Sequence, residues 1–297
     1  MLLRVKRKSL EEALAPISSG ASVAIGGSLL RRQPNAAVRN LVARGVSDLT
    51  VLSWAATTAV DFLAAAGAIR RWEGIYVGLF NHGLAPNFRR GVEEGRIVAR
   101  EFSETAWVAR LRAAAQGVPF LPIRGLFGSD IAVRNPDQIR TVTCPFTGDL
   151  LQAVPPAATD FTLIHGYMGD EYGNIVWPVV RDTDDVDPVF AAAATRLIVT
   201  VERIVPHELV KAQPTLTYIP GQWVESVVEV PYGSHPAACD AFYDADEAHL
   251  EAFALACRSG DGAAEYLDRY VRHRDHASYL AAVGGIEALR AFDVAKG

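Results

Sequence analysis

The chain has 297 residues, half of them hydrophobic and 21% charged, with a formal net charge of -5. That is long enough to bury a sizeable core, and the charge balance lacks the basic footprint of a nucleic-acid binder. Apolar runs such as 121–123 and 197–201 fall far short of the roughly 20 residues a bilayer helix needs, so no membrane span is expected.

The first residues are basic but lead into no apolar stretch, which argues against a secretory signal. Cys144, Cys239 and Cys257 are scattered, with no CxxC pair, so neither a disulfide framework nor a zinc cluster is expected. A reducing, cytoplasmic setting follows.

Along the chain, short β-rich apolar runs alternate with helical stretches, the pattern of an α/β fold with an open, largely parallel sheet flanked by helices. An amphipathic helix is predicted over 10–17, with Gly20 placed to end it, then a buried strand over 22–25 running into Gly26-Gly27-Ser28. Pro34 opens a helix through 35–43 that Gly45 closes. Strands at 48–53 and 72–77 flank a helix at 59–66, and 87–94 reads as helical. A strand at 97–101 leads to a helix at 103–116 with Ser103 as its N-cap. Further strands are expected at 120–123, 139–142, 161–166, 197–204 and 224–230, with ordered turns at 154–157 and 214–220. Beyond about 235 the composition becomes charged and helical, studded with Tyr, His and Arg. The whole chain, 1–297, is read as one domain, an α/β core over 1–235 with a helical C-terminal part over 236–297.

A strand ending in Gly26-Gly27-Ser28 just before a helix presents backbone N–H groups to an anion, a carboxylate or a thioester oxygen, and Arg31 and Arg32 follow at once. The plain alternative is a tight turn holding no ligand. GxGxxG is absent and the next strand lacks a ribose-binding acid, so a dinucleotide fold is disfavoured. GxxxxGK[ST] and G-x-S-x-G are absent as well. His273-Arg274-Asp275-His276 is the densest cluster of metal-ligand residue types, and it reads as a solvated helix face, leaving no metal site expected. His165, at the end of an apolar strand, reads as a satisfied core or edge histidine, and Asp170, Gly173 and Asn174 read as a turn.

Several separated segments together resemble the alpha subunits of family I coenzyme A transferases, the group that includes glutaconate CoA-transferase. They are GASVAIGGSLLRRQPNAAVRNLV (20–42), VAREFSE (98–104), AAAQGVPFLPIRGLFGSD (113–130), HGYMGDEYGNI (165–175), VERIV (201–205) and VESVVEVPYGSHP (224–236). The resemblance implies a NagB/RpiA/CoA-transferase-like fold and a site shared with a related beta-type subunit. It also implies CoA arriving as an acyl-CoA substrate rather than as a resident cofactor, and a carboxylic acid as the second substrate. The covalent glutamyl-CoA intermediate of that family forms on the beta subunit, and no segment here resembles the region that carries it.

One branch that the chain also resembles, the actinobacterial steroid-ring CoA-thioester hydrolases, cleaves a carbon–carbon bond with a glutamate of the alpha-like subunit. Glu104 stands at the matching position in EFSE. The same resemblance makes Arg124 a candidate to hold the substrate carboxylate or the thioester. Gly26 and Gly27, or Gly128 and Ser129, are the candidate donors to developing oxyanions, with Ser28 and Arg31 beside the first pair. Without the family, a carboxylate at the start of a helix reads simply as a partner of the helix dipole.

Overall fold

The computed structural model describes residues 4–157, 159–177, 186–273 and 275–294. In chain order the strands are β1 (Ser22–Ile25), β2 (Leu49–Ala56), β3 (Ile69–Val77), β4 (Val98–Glu101), β5 (Leu121–Ile123), β6 (Arg140–Thr143), β7 (Leu150–Val154), β8 (Phe161–Gly169), β9 (Ile175–Val176), β10 (Leu197–Ile204), β11 (Thr217–Ile219) and β12 (Val224–Glu229). The helices are α1 (Leu10–Leu14), α2 (Asn35–Ala43), α3 (Thr58–Ala65), α4 (Pro86–Glu93), α5 (Glu104–Gln116), α6 (Asp130–Arg134), α7 (Asp187–Ala193), α8 (His207–Ala212), α9 (Glu247–Ala256), α10 (Gly260–Tyr266), α11 (His276–Ala282) and α12 (Gly285–Leu289). None among the described residues is long and apolar enough to cross a membrane.

Parallel pairing runs β4–β3–β2–β1–β8–β10–β12. Helices cover both faces, which is why strands such as SVAI and LIVTVERI are apolar almost throughout. The period of two divides them: Val23 and Ile25 enter a cluster with α1, α2 and α3, while Ala24 enters a second cluster with α5 and α7. The C-terminal helices complete the first cluster with Phe253, Tyr266 and Leu267, and Phe62 of α3 meets the Phe253 ring edge-on at 5.1 Å. At the far side, residues 6–8 run beside β12: Val227 N donates to Lys6 O and Lys8 N to Val227 O, both at 3.1 Å. The Lys6 ammonium anchors that segment on the carbonyls of Gly221 and Val224 at 2.6 and 2.7 Å.

The predicted parallel sheet is present, with differences that have local causes. The first helix stops at Leu14, held by a Ser9–Glu12 capping box, and Gly20 instead turns the chain into β1 at φ 87°. The region between α5 and β8 forms a separate antiparallel sheet, β5–β7–β6, whose β7 was not expected. The C-terminal part is helical only in pieces. Residues 240–246 are not helical, and breaks at Cys257 and after Val271 separate α9, α10 and α11. Asp170 confirms its turn role: it accepts from Tyr172 N, Asn174 N and Asn174 Nδ2 at 2.7–3.0 Å.

Candidate functional site

One level row crosses the sheet: Ser226, Ile198, Leu163, Ile25, Ser53, Gly74 and Glu101. Residues just past it line the C-terminal edge of the parallel strands, where open α/β sheets bind ligands. Strand order reverses between β1 and β8, so this switch point falls at Gly26, Gly27 and Ser28, all of them buried.

The buried turn already holds a carboxylate. Gly27 N donates to Asp187 Oδ1 at 2.7 Å, and Arg32 Nε reaches Asp187 Oδ2 at 3.3 Å, both side chains being fully buried. Arg32 Nη1 also donates to the Tyr167 hydroxyl at 2.9 Å and to Asp240 at 3.3 Å. Glycine is required twice. A Cβ on Gly26 would sit 2.7 Å from Asp187 Oδ1, and Gly27, at φ +81°, would put one 2.6 Å from Arg32 O. Ser28 N closes the turn onto Arg31 O at 3.1 Å, and Arg31, half-exposed, pairs with Asp240 at 3.4 Å. The glycine turn therefore does cradle an anion. The anion is the chain's own, delivered from the start of α7, which no local reading of residues 20–42 could foresee.

Glu104 lies on the same edge of the sheet, three strands away or roughly 14 Å at strand spacing. Phe102 N extends the ladder to Gly74 O at 2.8 Å, and the chain then turns into α5, where the Ser103 hydroxyl accepts from Ala106 N at 3.3 Å. This leaves Glu104 exposed at the helix N-terminus, with no hydrogen bond or ion pair among the described residues.

Three residues earlier, Glu101 lines a cavity of about 770 Å³, a volume within the usual range for small-molecule sites. It exists because β4 pairs only with Arg71–Gly74, so Ile75–Val77 run on past the end of their neighbour. Trp72, Ile75 and Phe88 supply apolar wall, and α6 contributes Asp130, Ile131 and Arg134. Asn135, also in the lining, is buried. Its Nδ2 donates to the carbonyls of Glu101 and Ile131 at 3.1 and 2.8 Å, which fixes the amide and leaves Oδ1 as an acceptor with no partner among the described residues. Ser129, predicted as a site residue, caps α6 by accepting from Ile131 N at 3.1 Å, after Gly128 turns the chain at φ +73°. Both therefore act here by placing α6. Arg124 points elsewhere. It is 76% exposed and donates to Asp149 at 2.8 Å, and that bond holds the Asp149 carboxyl below the usual range.

A buried polar knot at the other end of the sheet escaped sequence reasoning. Glu202 accepts from Tyr232 N (2.6 Å), Gly233 N (3.2 Å) and the Tyr243 hydroxyl (2.7 Å), and pairs with His165 Nε2 at 2.6 Å. His165 Nδ1 meets the Thr200 hydroxyl at 2.8 Å, so the histidine is satisfied as expected. His165, Glu202 and Cys239 come within 4.8 Å of one another, a ligand-like grouping. A metal there would have to displace bonds already made to both carboxylate oxygens and both ring nitrogens. The clue lay in VERIV, a glutamate inside a strand buried on both faces. The 273–276 cluster differs from its reading as one solvated face: His273 binds Arg269 O, whereas His276 opens α11 and binds Pro231 O at 2.7 Å. Arg274 lies outside the described residues.

A model of the coenzyme A transferase family matches residues 7–230. An uncharacterized protein of Archaeoglobus fulgidus is 36% identical over 96% of this chain, which spans only 63% of that relative's length. The IpdA subunit of the cholesterol ring-cleaving hydrolase of Rhodococcus jostii is 33% identical, covering 94% of this chain and 96% of the relative. The alpha-type glutaconate CoA-transferase subunit of Acidaminococcus fermentans is 31% identical, covering 94% and 92%. The crystal structure of glutaconate coenzyme A-transferase from that organism superposes with a TM-score of 0.91 at 29% identity, over 98% of this chain and 96% of the other. A parallel sheet with its switch point at a glycine turn, matched along almost its whole length in sequence and in structure, establishes that this chain belongs to the coenzyme A transferase family.

Proposed function

We propose that the chain is the alpha-type subunit of a heteromeric CoA-transferase, moving CoA between carboxylic acids at a site shared with a beta-type subunit. The observation that carries this reading is the end-to-end structural match to glutaconate CoA-transferase. CoA enters as part of the substrate and leaves with the product. The partner's carboxylate attacks the acyl-CoA carbonyl, forming a mixed anhydride and releasing CoA thiolate. The thiolate attacks the enzyme's glutamyl carbonyl, freeing the donor acid and leaving a glutamyl-CoA thioester, and the acceptor acid reverses both steps. This chain supplies the wall against which the acyl group lies: the cavity beside Glu101, with apolar sides, the free acceptor of Asn135 and the cation of Arg134. Three free cysteines accord with a cytoplasmic enzyme.

A second reading rests on Glu104. In this reading the exposed Glu104 carboxylate, at the start of α5, takes a proton from water as it adds to a ring carbonyl. The carbon–carbon bond then breaks to a carboxylate and a thioester enolate, which recovers the proton. Likeness to the IpdA subunit supports it.

The two readings separate in one experiment. The co-expressed pair is incubated with a panel of acyl-CoA esters, reduced with borohydride and mapped by mass spectrometry, for the wild type and for Glu104→Gln. The transferase reading expects a reduced glutamate on the partner chain and a change in CoA exchange of less than about tenfold in Glu104→Gln. If no glutamate is trapped and ring-opened product falls by about 10²–10⁴-fold in the variant, the scale of a lost general base, the hydrolase replaces it.

A further inference from the structure

Away from the candidate site, three residues with buried polar atoms line one cavity where α2 meets the C-terminal helices. Among the described residues, Arg39 Nη2, Asn40 Oδ1 and His276 Nδ1 have no hydrogen-bond partner. All three residues line a single cavity of about 10 Å³, completed by Leu10, Ala36, His273, Tyr279 and Asp275, the Asp275 carboxylate being taken up by Ser278 N and Oγ at 2.8 and 3.1 Å. The rest of Arg39 is firmly held: Nη1 donates to His235 O at 3.0 Å, and the guanidinium carbon stands 3.4 Å from the centroid of the Tyr279 ring.

Chemistry assigns each atom a role. His276 Nε2 lies 2.7 Å from Pro231 O, which can only accept, so Nε2 carries the ring proton. Burial pushes the His276 imidazole down to about 3, keeping it neutral and leaving Nδ1 a bare acceptor. Asn40 Oδ1 is a second acceptor and Arg39 Nη2 a donor. A halide would face two acceptors, and a cation would face Arg39. One molecule satisfies all three, accepting once and donating twice, and the volume suits it: a buried water needs roughly 10–15 Å³ and makes about three hydrogen bonds.

We propose that this cavity is a binding site for one water molecule, accepting from Arg39 and donating to Asn40 and His276, which ties the helix after the glycine turn to the C-terminal helices. The bridge removes three unpaired polar atoms at a seam where direct contacts leave a gap.

The test is a high-resolution crystal structure of the full chain, grown with and without bromide, combined with oxygen-17 relaxation dispersion in solution. The expected result is one peak within about 2.7–3.2 Å of all three atoms, with no anomalous signal from bromide. Asn40→Leu, which removes an acceptor and fills the space, should lose one long-lived water in the relaxation measurement. A bromide peak there would make it an anion site and overturn the proposal. So would side chains that pair directly with one another, or an unchanged count of long-lived waters in a folded Asn40→Leu. If that variant does not fold, the wild-type crystal decides alone.

Discussion

Asp187→Ala tests whether the glycine turn depends on the chain's own carboxylate. The substitution removes the acceptor of Gly27 N and of Arg32 Nε, at 2.7 and 3.3 Å, in a fully buried setting. Breaking a buried ion pair by deleting one partner typically costs about 3–5 kcal/mol. Here Arg32 keeps Asp240 at 3.3 Å and the Tyr167 hydroxyl at 2.9 Å, which places the loss near the lower end, about 3 kcal/mol. Asp187→Asn keeps an acceptor for Gly27 N but loses the charge, and should cost about half as much. For a chain of this size the alanine variant should melt roughly 5 °C lower, with a matching fall in the urea midpoint and an unchanged slope. Added formate, small enough for the space released, should recover part of the loss in Asp187→Ala and none in the wild type. A loss under about 1 kcal/mol, with no response to formate, would refute the reasoning.

Tyr243→Phe should destabilise the chain by about 2 kcal/mol in urea unfolding, because the buried hydroxyl donates to Glu202 at 2.7 Å and accepts from Ser234 N at 3.0 Å. No measurable change would mean that the Glu202 knot is not held together as described. Asp61, fully buried under α4, is pushed up to about 6 by desolvation, against the hydrogen bonds it accepts from Phe88 N and Asn87. The folded state thus holds this proton more tightly than the unfolded chain. The resulting stability is fully present below about pH 4 and is lost as pH rises through about 6, an amount on the order of 2–3 kcal/mol. Asp61→Asn should flatten the stability profile across that window, and an unaltered slope would assign it to other groups.

The parallel sheet was legible because its strands, buried on both faces, are apolar runs bounded by glycine, and Ser103 announced the start of α5 by residue type alone. What stayed hidden depended on distance or on conflicting local signals. Leu150–Val154 ends against Pro155-Pro156, so a pattern fit for a strand read as the approach to a turn, whereas β5 was expected and carries Pro122, which is tolerated in its place at the edge of the small antiparallel sheet. Gly26 and Gly27 announced an anion, but Asp187 lies 160 residues further on and only folding brings it there. Arg124 belonged to a family-like stretch, and the hairpin carrying Asp149 turns it to the surface. Glu104 was found through resemblance; its exposure is a fact of the fold.

Residues 6–8, stitched beside β12, also answer a hazard common to sheets of this kind. The outermost strand of an open sheet offers unpaired N–H and C=O groups to any other extended chain. On this side the polypeptide covers that template with its own segment, through the Lys6 and Lys8 backbone bonds and the Lys6 ammonium. On the other side β4 is only four residues long, with Arg100 paired to Asp137 along it. The protection is thus asymmetric, a strap on one side and a short charged strand on the other. Loss of the strap would turn β12 into a nucleation surface for self-association while leaving the glycine turn and Glu104 untouched.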